Sequence, residues 1–298
     1  MNWRNFLIVT LVCVSSSIFA QSNLLNAKTP DEIGKKTQAE LNADNDKPLP
    51  YGYVADRDMF MSKTVWELID INQRVNFPLY FPVDEGVELS ADRKPLYAVL
   101  MNAIKDKKIT EVYDSGYFTA KKTYEEIEKS LVFIDTLDQG IEELNSGAKS
   151  VSPEFIVKTE IKPIDVAGYR VKGCWYFDKR QGELKYRLLG ICPVVPDVYT
   201  MGNEATKEYI DLFWIYFPAA RDVLHGAKAF NDRNSSMPFT FDHLLNARRF
   251  NGTIYLEENV YGDREIKDYM KENSLMQLLE SERVKEKIRN FEHDMWNY

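Results

Sequence analysis

Histidine is scarce: the 298 residues hold three, His225, His243 and His293, scattered over separate segments. No H-E-x-x-H, G-x-S-x-G, G-x-x-x-x-G-K-[ST] or C-x-x-C pattern occurs, so the common zinc, serine-hydrolase, phosphate-loop and thiol-redox signatures are missing. Cysteine is equally rare, with Cys13, Cys174 and Cys192. Glycine (14) and proline (12) are too few for a collagen-like or low-complexity chain. Base is in deficit, 38 Lys and Arg against 46 Asp and Glu, giving a net charge of -8 spread along the chain. A sequence-independent grip on nucleic acid, which needs cations to neutralise phosphates, is excluded as an expectation. Long apolar runs are missing too: the longest, Phe6 to Val14, falls short of the ~20 residues that span a bilayer, so direct membrane insertion is not expected.

What is present begins with a leader. Arg4, the apolar run, and Ser15 to Ala20 match a secretory signal peptide over 1–20, cleaved after Ala20. Residues 21–50 are poor in large apolar side chains and read as a flexible N-terminal arm. Residues 51–298 then form a single α+β domain: a largely antiparallel sheet in the middle third, flanked by N- and C-terminal helices, the last helical segment covering about 263–298.

Local patterns place the elements. Val65, Leu68, Ile69 and Asn72 have helical spacing over Ser62 to Gln73, and the prolines of Asn76 to Pro82 predict extended chain. Pro95 opens a helix carrying Leu96, Val99, Leu100, Ala103 and Ile104. Thr123 and Glu126 form a capping-box pattern ahead of Ile127, Leu131, Ile134 and Leu137. Strands are predicted at Phe155 to Glu160, Ile164 to Asp178, Leu184 to Val194, Tyr209 to Phe217 and Thr253 to Glu258. Helices are predicted at Ala219 to Phe230 and Thr240 to Arg249, and Val284, Ile288, Phe291 and Met295 give the C-terminal helix an apolar seam. Lys179 to Gly182 reads as a hairpin turn that sets Cys174 against Arg187 and Cys192 against Tyr169. The thiols then lie too far apart to bridge and are expected free.

The chemistry-bearing residues have bland alternatives. Each histidine sits in a different predicted helix, and Asp56-Arg57-Asp58 beside an element start fits caps and salt bridges better than acid/base catalysis. No catalytic residue, cofactor or metal is therefore expected. The surplus is in aromatics with polar handles, 17 Tyr, 16 Phe and 5 Trp. Trp175 and Trp214 lie in predicted strands and read first as core. The charged-aromatic clusters at Asp56, Arg57, Asp58 and Trp66, and around Trp296, have the composition of protein interfaces.

At these same residues the sequence resembles the GldN/PorN family of gliding motility and type IX secretion. The blocks are Asp56-Arg57-Asp58-Met59 with Ser62-Lys63 and Val65-Trp66, Ile69-Asp70, Asn76 to Pro82, Phe177-Asp178-Lys179 and Arg187 to Pro193. Phe213 to Pro218 with Arg221, Arg248-Arg249-Phe250 and Glu292 to Tyr298 complete them in the family's order. Asn297 departs from it, standing where an acidic residue is usual, and Cys192 stands where a small apolar one is expected. The resemblance implies a non-enzymatic structural subunit in the periplasm, associated with the outer membrane through a GldK/PorK-like lipoprotein with which it forms a ring-like complex. It further implies self-association within that ring and contact with the periplasmic region of a GldM/PorM-like inner-membrane motor protein. On this reading Asp56, Arg57, Asp58, Trp66, Trp175, Trp214 and Trp296 are interface residues. The alternatives from other classes are a periplasmic chaperone for secreted cargo and a metal-dependent periplasmic hydrolase using His225, His243 or His293.

Overall fold

A computed structural model describes residues 47–83, 93–147, 152–201, 207–231, 239–271 and 273–296. The leader at 1–20 and the arm as far as residue 46 lie outside the described residues. The elements in chain order are β1 (Met59–Asp70), α1 (Phe77–Tyr80), α2 (Leu96–Lys105), α3 (Tyr124–Leu131), β2 (Val132–Thr136), α4 (Asp138–Asn145) and β3 (Ile156–Glu160). Then come β4 (Gly168–Asp178), β5 (Glu183–Pro196), β6 (Tyr209–Asp211), β7 (Ile215–Tyr216), α5 (Phe217–Gly226), β8 (Lys228–Ala229) and β9 (Phe239–Thr240). The chain closes with α6 (Phe241–Asn246), β10 (Thr253–Glu257), α7 (Ile266–Tyr269) and α8 (Ser274–Trp296).

The α+β class holds. The main sheet is antiparallel in the order β10-β1-β4-β5-β6, with β7 also on β5. It reaches beyond the middle third, because β1 and β10 come from the two flanks. On one face Ile69, Tyr169, Val171 and Ile191 meet Leu96 and Leu100 of α2, Ile127 of α3, Phe217 and Leu224 of α5, and Phe241 of α6. Tyr169 is fully enclosed there, and its hydroxyl accepts from the Tyr97 backbone N–H at 3.0 Å, satisfying a donor at the start of α2.

Further along the same face α8 lies over β10, where Val284 and Ile288 bury against Val65 and Ile254. Each such side chain contributes about 1.5–3 kcal/mol by leaving water. The Ser281 hydroxyl accepts from the Ile254 backbone N–H at 2.8 Å, and Phe291 packs near Phe60 and Phe177 with centroids 5.9 and 6.1 Å apart. The apolar seam is thus a helix docked on its own domain.

Several local readings hold. Thr123 and Glu126 close a reciprocal capping box on α3, and Thr240 accepts from the His243 N–H at 3.1 Å as the N-cap of α6. Others need correction. Ser62 to Gln73 is not a helix: β1 runs through it, with Val65, Trp66 and Glu67 all buried because both faces of the strand are covered, which erases the period of two. Asn76 to Pro82 is not extended throughout, since Pro78 sits in the first turn of α1, where its missing N–H has no intrahelical partner to lose. Ile134 and Leu137 leave the helical face of α3: Ile134 belongs to β2 and Leu137 follows that strand.

The β4–β5 hairpin keeps Cys174 against Arg187, but the register slips between Lys172 and Gly173, so Cys192 faces Arg170 rather than Tyr169. Both cysteines are free and remain far apart along the ladder. At the slip, Gly173 lies flat under the phenol of Tyr186, and a Cβ there would overlap that ring. Gly173→Ala should therefore lower stability by about 1–3 kcal/mol through overpacking. Urea unfolding should read this as a lower midpoint with an unchanged slope, and a wild-type midpoint would contradict the packing described.

Candidate functional site

The charged and aromatic residues gather at three places around β1, β4 and β5. The first holds the N-terminal strap. Asp56, Arg57 and Asp58 form a single 3-10 turn leading into β1, and the Lys179 N–H donates to the Asp58 carbonyl at 2.8 Å. Arg180 reaches Asp58 at 3.3 Å and Asp178 at 3.2 Å, and it donates to the Tyr53 carbonyl at 2.8 Å. These Arg180 hydrogen bonds hold the Asp178 carboxyl below its ordinary pKa. Upstream, Arg187 donates to the Gly52 carbonyl at 2.9 Å, and the Tyr51 ring lies against both Arg187 and Arg221 at 4.7 and 4.3 Å. Arg221 is itself buried in a two-pronged pair with Asp242, at 2.7 and 3.0 Å. Burial at this spot raises the Tyr51 hydroxyl pKa, against the pull of Arg221.

The second place is the sheet face opposite the main core. Trp66, Cys192, Trp214 and Leu256 cluster there, joined by Tyr113, Phe118 and Tyr255. Lys172 points into the cluster, its ammonium 4.7 Å from the Trp66 ring, 5.3 Å from Phe118 and 5.4 Å from Tyr117, and donates to the Gly116 carbonyl at 2.9 Å. Partial burial pushes the Lys172 pKa down. Beside it Arg170 pairs with Asp211 at 3.0 Å beneath Tyr255, and the Trp214 indole donates to the same carboxylate at 3.3 Å. Full enclosure pushes the Cys192 thiol well above its ordinary value, leaving it protonated and unreactive.

The third place is the core face next to α8. Glu67 is fully buried in β1 and accepts from Arg248 at 2.6 Å. The Arg248 guanidinium sits 4.9 Å from Trp175, 4.8 Å from Tyr186 and 5.4 Å from Phe250. Burial raises the Glu67 carboxyl above its ordinary pKa even though Arg248 pulls it down.

The structure thus brings Trp66 and Trp214 together and sets Trp175 on the opposite face. Trp66 is only 4% exposed and Trp214 2%, so both are interior to the chain and neither presents its ring to a partner. Asp56 and Arg57 are exposed, and Asp58 is half-buried in its pair with Arg180. Trp296 ends α8, with its side chain outside the described residues. His225, His243 and His293 fall in α5, α6 and α8, with His243 stacked on Phe239 at 5.6 Å. Among the described residues no three His, Cys, Asp or Glu side chains converge to hold a metal ion. The half-buried cations Lys172 and Arg248, and the Glu67 carboxylate that pairs with Arg248, escaped the reading from composition. Their one sequence signal was charge inside an otherwise apolar strand, or beside Phe250.

Two substitutions test this account. Trp66→Ala should lower stability by about 3–5 kcal/mol, read by denaturant unfolding of the purified chain, whereas a fully stable monomer that fails only to assemble would restore Trp66 as a contact residue. Arg248→Ala strands a buried carboxylate and should cost about 3–5 kcal/mol at neutral pH. A carboxyl whose folded pKa is raised above its unfolded value loses stability as pH rises from the unfolded pKa through the folded one. The cost should accordingly shrink as the solution is acidified, and Glu67→Gln combined with Arg248→Met should recover part of it. A cost independent of pH would mean Glu67 is not the group left unpaired.

The chain was also compared with known proteins. No curated protein matches it. A family profile described as gliding motility associated protein GldN matches residues 54–297, which takes in β1, the second and third charged-aromatic places, the first from Asp56 onward, and α8. Matched over far more than half its length, the chain belongs to the GldN family of gliding-motility proteins.

Proposed function

We propose that this chain is a non-enzymatic structural subunit of the type IX protein-secretion and gliding-motility machinery. It works in the periplasm, is associated with the outer membrane through a GldK/PorK-like lipoprotein, and builds a ring-like complex with that partner and with further copies of itself. From the ring it meets the periplasmic region of a GldM/PorM-like motor protein. The observation that carries this reading is the GldN match across residues 54–297.

The chemistry of the three charged-aromatic places supports a scaffold. Arg180, Arg187 and Lys172 are spent on backbone carbonyls, and Arg221, Arg248 and Arg170 on carboxylates of the same chain. Such pairs fix geometry rather than await a substrate. The Met1 to Ala20 leader supports export, and among the described residues no helix is long and apolar enough to cross a membrane. Asp56, Arg57 and Asp58 on the turn before β1, the half-buried Trp175, and Trp296 at the end of α8 are the proposed contact residues that remain once Trp66 and Trp214 are assigned to the interior.

The test is the native mass of the tagged chain after gentle extraction of the cell envelope, with its co-purifying proteins identified. A megadalton-scale assembly that contains an outer-membrane lipoprotein is the expected result. A monomer without a stable partner would overturn the proposal.

A further inference from the structure

A small lobe stands off the main sheet. β2 and β3 pair only with each other among the described strands, in register from Val132 opposite Glu160 to Thr136 opposite Ile156, with α4 between them. Phe133 anchors one face of this ribbon, its ring 4.9 Å from Tyr199 in the segment after β5. Strand alternation then sends Ile134 to the other face, and Ile156, opposite Thr136, lies diagonally beside it. Among the described residues nothing covers that face: Ile134 is 62% and Ile156 40% exposed, and Leu137 and Ile141 next to it are exposed as well.

Two-stranded ribbons are marginal on their own, and folded proteins guard an open edge with lysine, proline or a bulge. β2, with the sequence Val-Phe-Ile-Asp-Thr, has none of these. The charge around the patch is mostly acidic, with the cation Lys158 standing opposite Ile134. Asp135, Asp138, Glu142, Glu154 and Glu160 are exposed, and Lys158 is occupied by Glu160 at 3.0 Å.

We propose that this lobe is a docking site for an extended, basic segment of a different protein. The segment adds as a strand along β2 through main-chain hydrogen bonds, lays apolar side chains on Ile134 and Ile156, and sets Lys or Arg against the acidic rim. A second copy of this chain fits poorly, since it would bring the same acids face to face in a molecule already at net charge -8. The proposal rests on the preceding reading only in taking the chain to act within an assembly.

The test is photo-crosslinking in the living cell. A benzophenone amino acid is placed at Ile134 of the full chain, with Val260, which is 92% exposed on another surface, as the control position. The expected adduct at Ile134 joins a peptide of another protein in which Lys or Arg alternates with apolar residues. Raised salt, or Asp135→Lys with Asp138→Lys, should cut its yield several-fold while the thermal unfolding of the purified chain is unchanged. An adduct to a second copy, to residues 21–46 of the same chain or to an acidic segment, or no adduct above the Val260 level, would overturn the proposal. Native mass separates the two readings: loss of the large assembly overturns the ring, while the Ile134 adduct decides the lobe independently.

Discussion

Covering both faces of β1, β4 and β5 is the constraint on which the rest of the structure depends. A strand alternates its side chains, so a sheet with one wet face can send every charge to water. Here Glu67 points into the face under α8, while Lys172 and Arg170 point into the layer built by the Tyr113 to Phe118 loop and Trp214. Burial of these charges requires partners, and aromatic faces complete the enclosure. Trp66 shields Lys172, Tyr255 shields Arg170, and Trp175 with Tyr186 shields Arg248. The abundance of Tyr, Phe and Trp follows from this need as much as from packing.

The same constraint ties distant parts of the chain together. Glu67 belongs to β1, Arg248 follows α6, and Trp175 and Tyr186 come from the two arms of the hairpin, so one ion pair joins four segments. At the sheet's end Arg180 and Arg187 of the hairpin hold the strap carbonyls, and Tyr51 closes over the Arg221 and Asp242 pair linking α5 to α6. A buried pair of this kind adds little net stability over an apolar replacement, but half of one is costly. Its effect is to penalise any alternative register that would separate the partners.

This explains which parts were legible in the sequence. Signals that act within a few residues came through: the Thr123 and Glu126 box, the Thr240 cap, the turn before Glu183 and the α8 seam each depend on neighbours. Signals set by distant segments did not. β1 read as a helix because its second covered face comes from residues tens of positions away, and the slip at Gly173 depends on Tyr186 lying across the backbone. The charged-aromatic blocks were legible as blocks, yet composition alone cannot distinguish an interface between chains from one between layers of a single chain, since both enrich Trp, Tyr and Arg. Burial of Trp66 and Trp214 assigns them to the second kind.

On the proposed scaffold role, a chain that spends these cations internally must recognise partners by other means. The surface left over is acidic overall, so arginine-rich recognition of acidic partners is weak, and the available devices are unpaired strand edges, exposed apolar side chains and the field of the surplus carboxylates. Edges supply hydrogen bonds that do not depend on partner sequence, apolar patches supply affinity, and the acidic field selects among candidates by charge. The division separates stability from recognition: the interior pairs hold the sheet in one register, and surface residues such as Arg57 and Ile134 are free to vary without disturbing it. The assembly contacts proposed for this chain therefore lie on its turns, its small lobe and the end of α8, away from the buried Trp66 and Trp214.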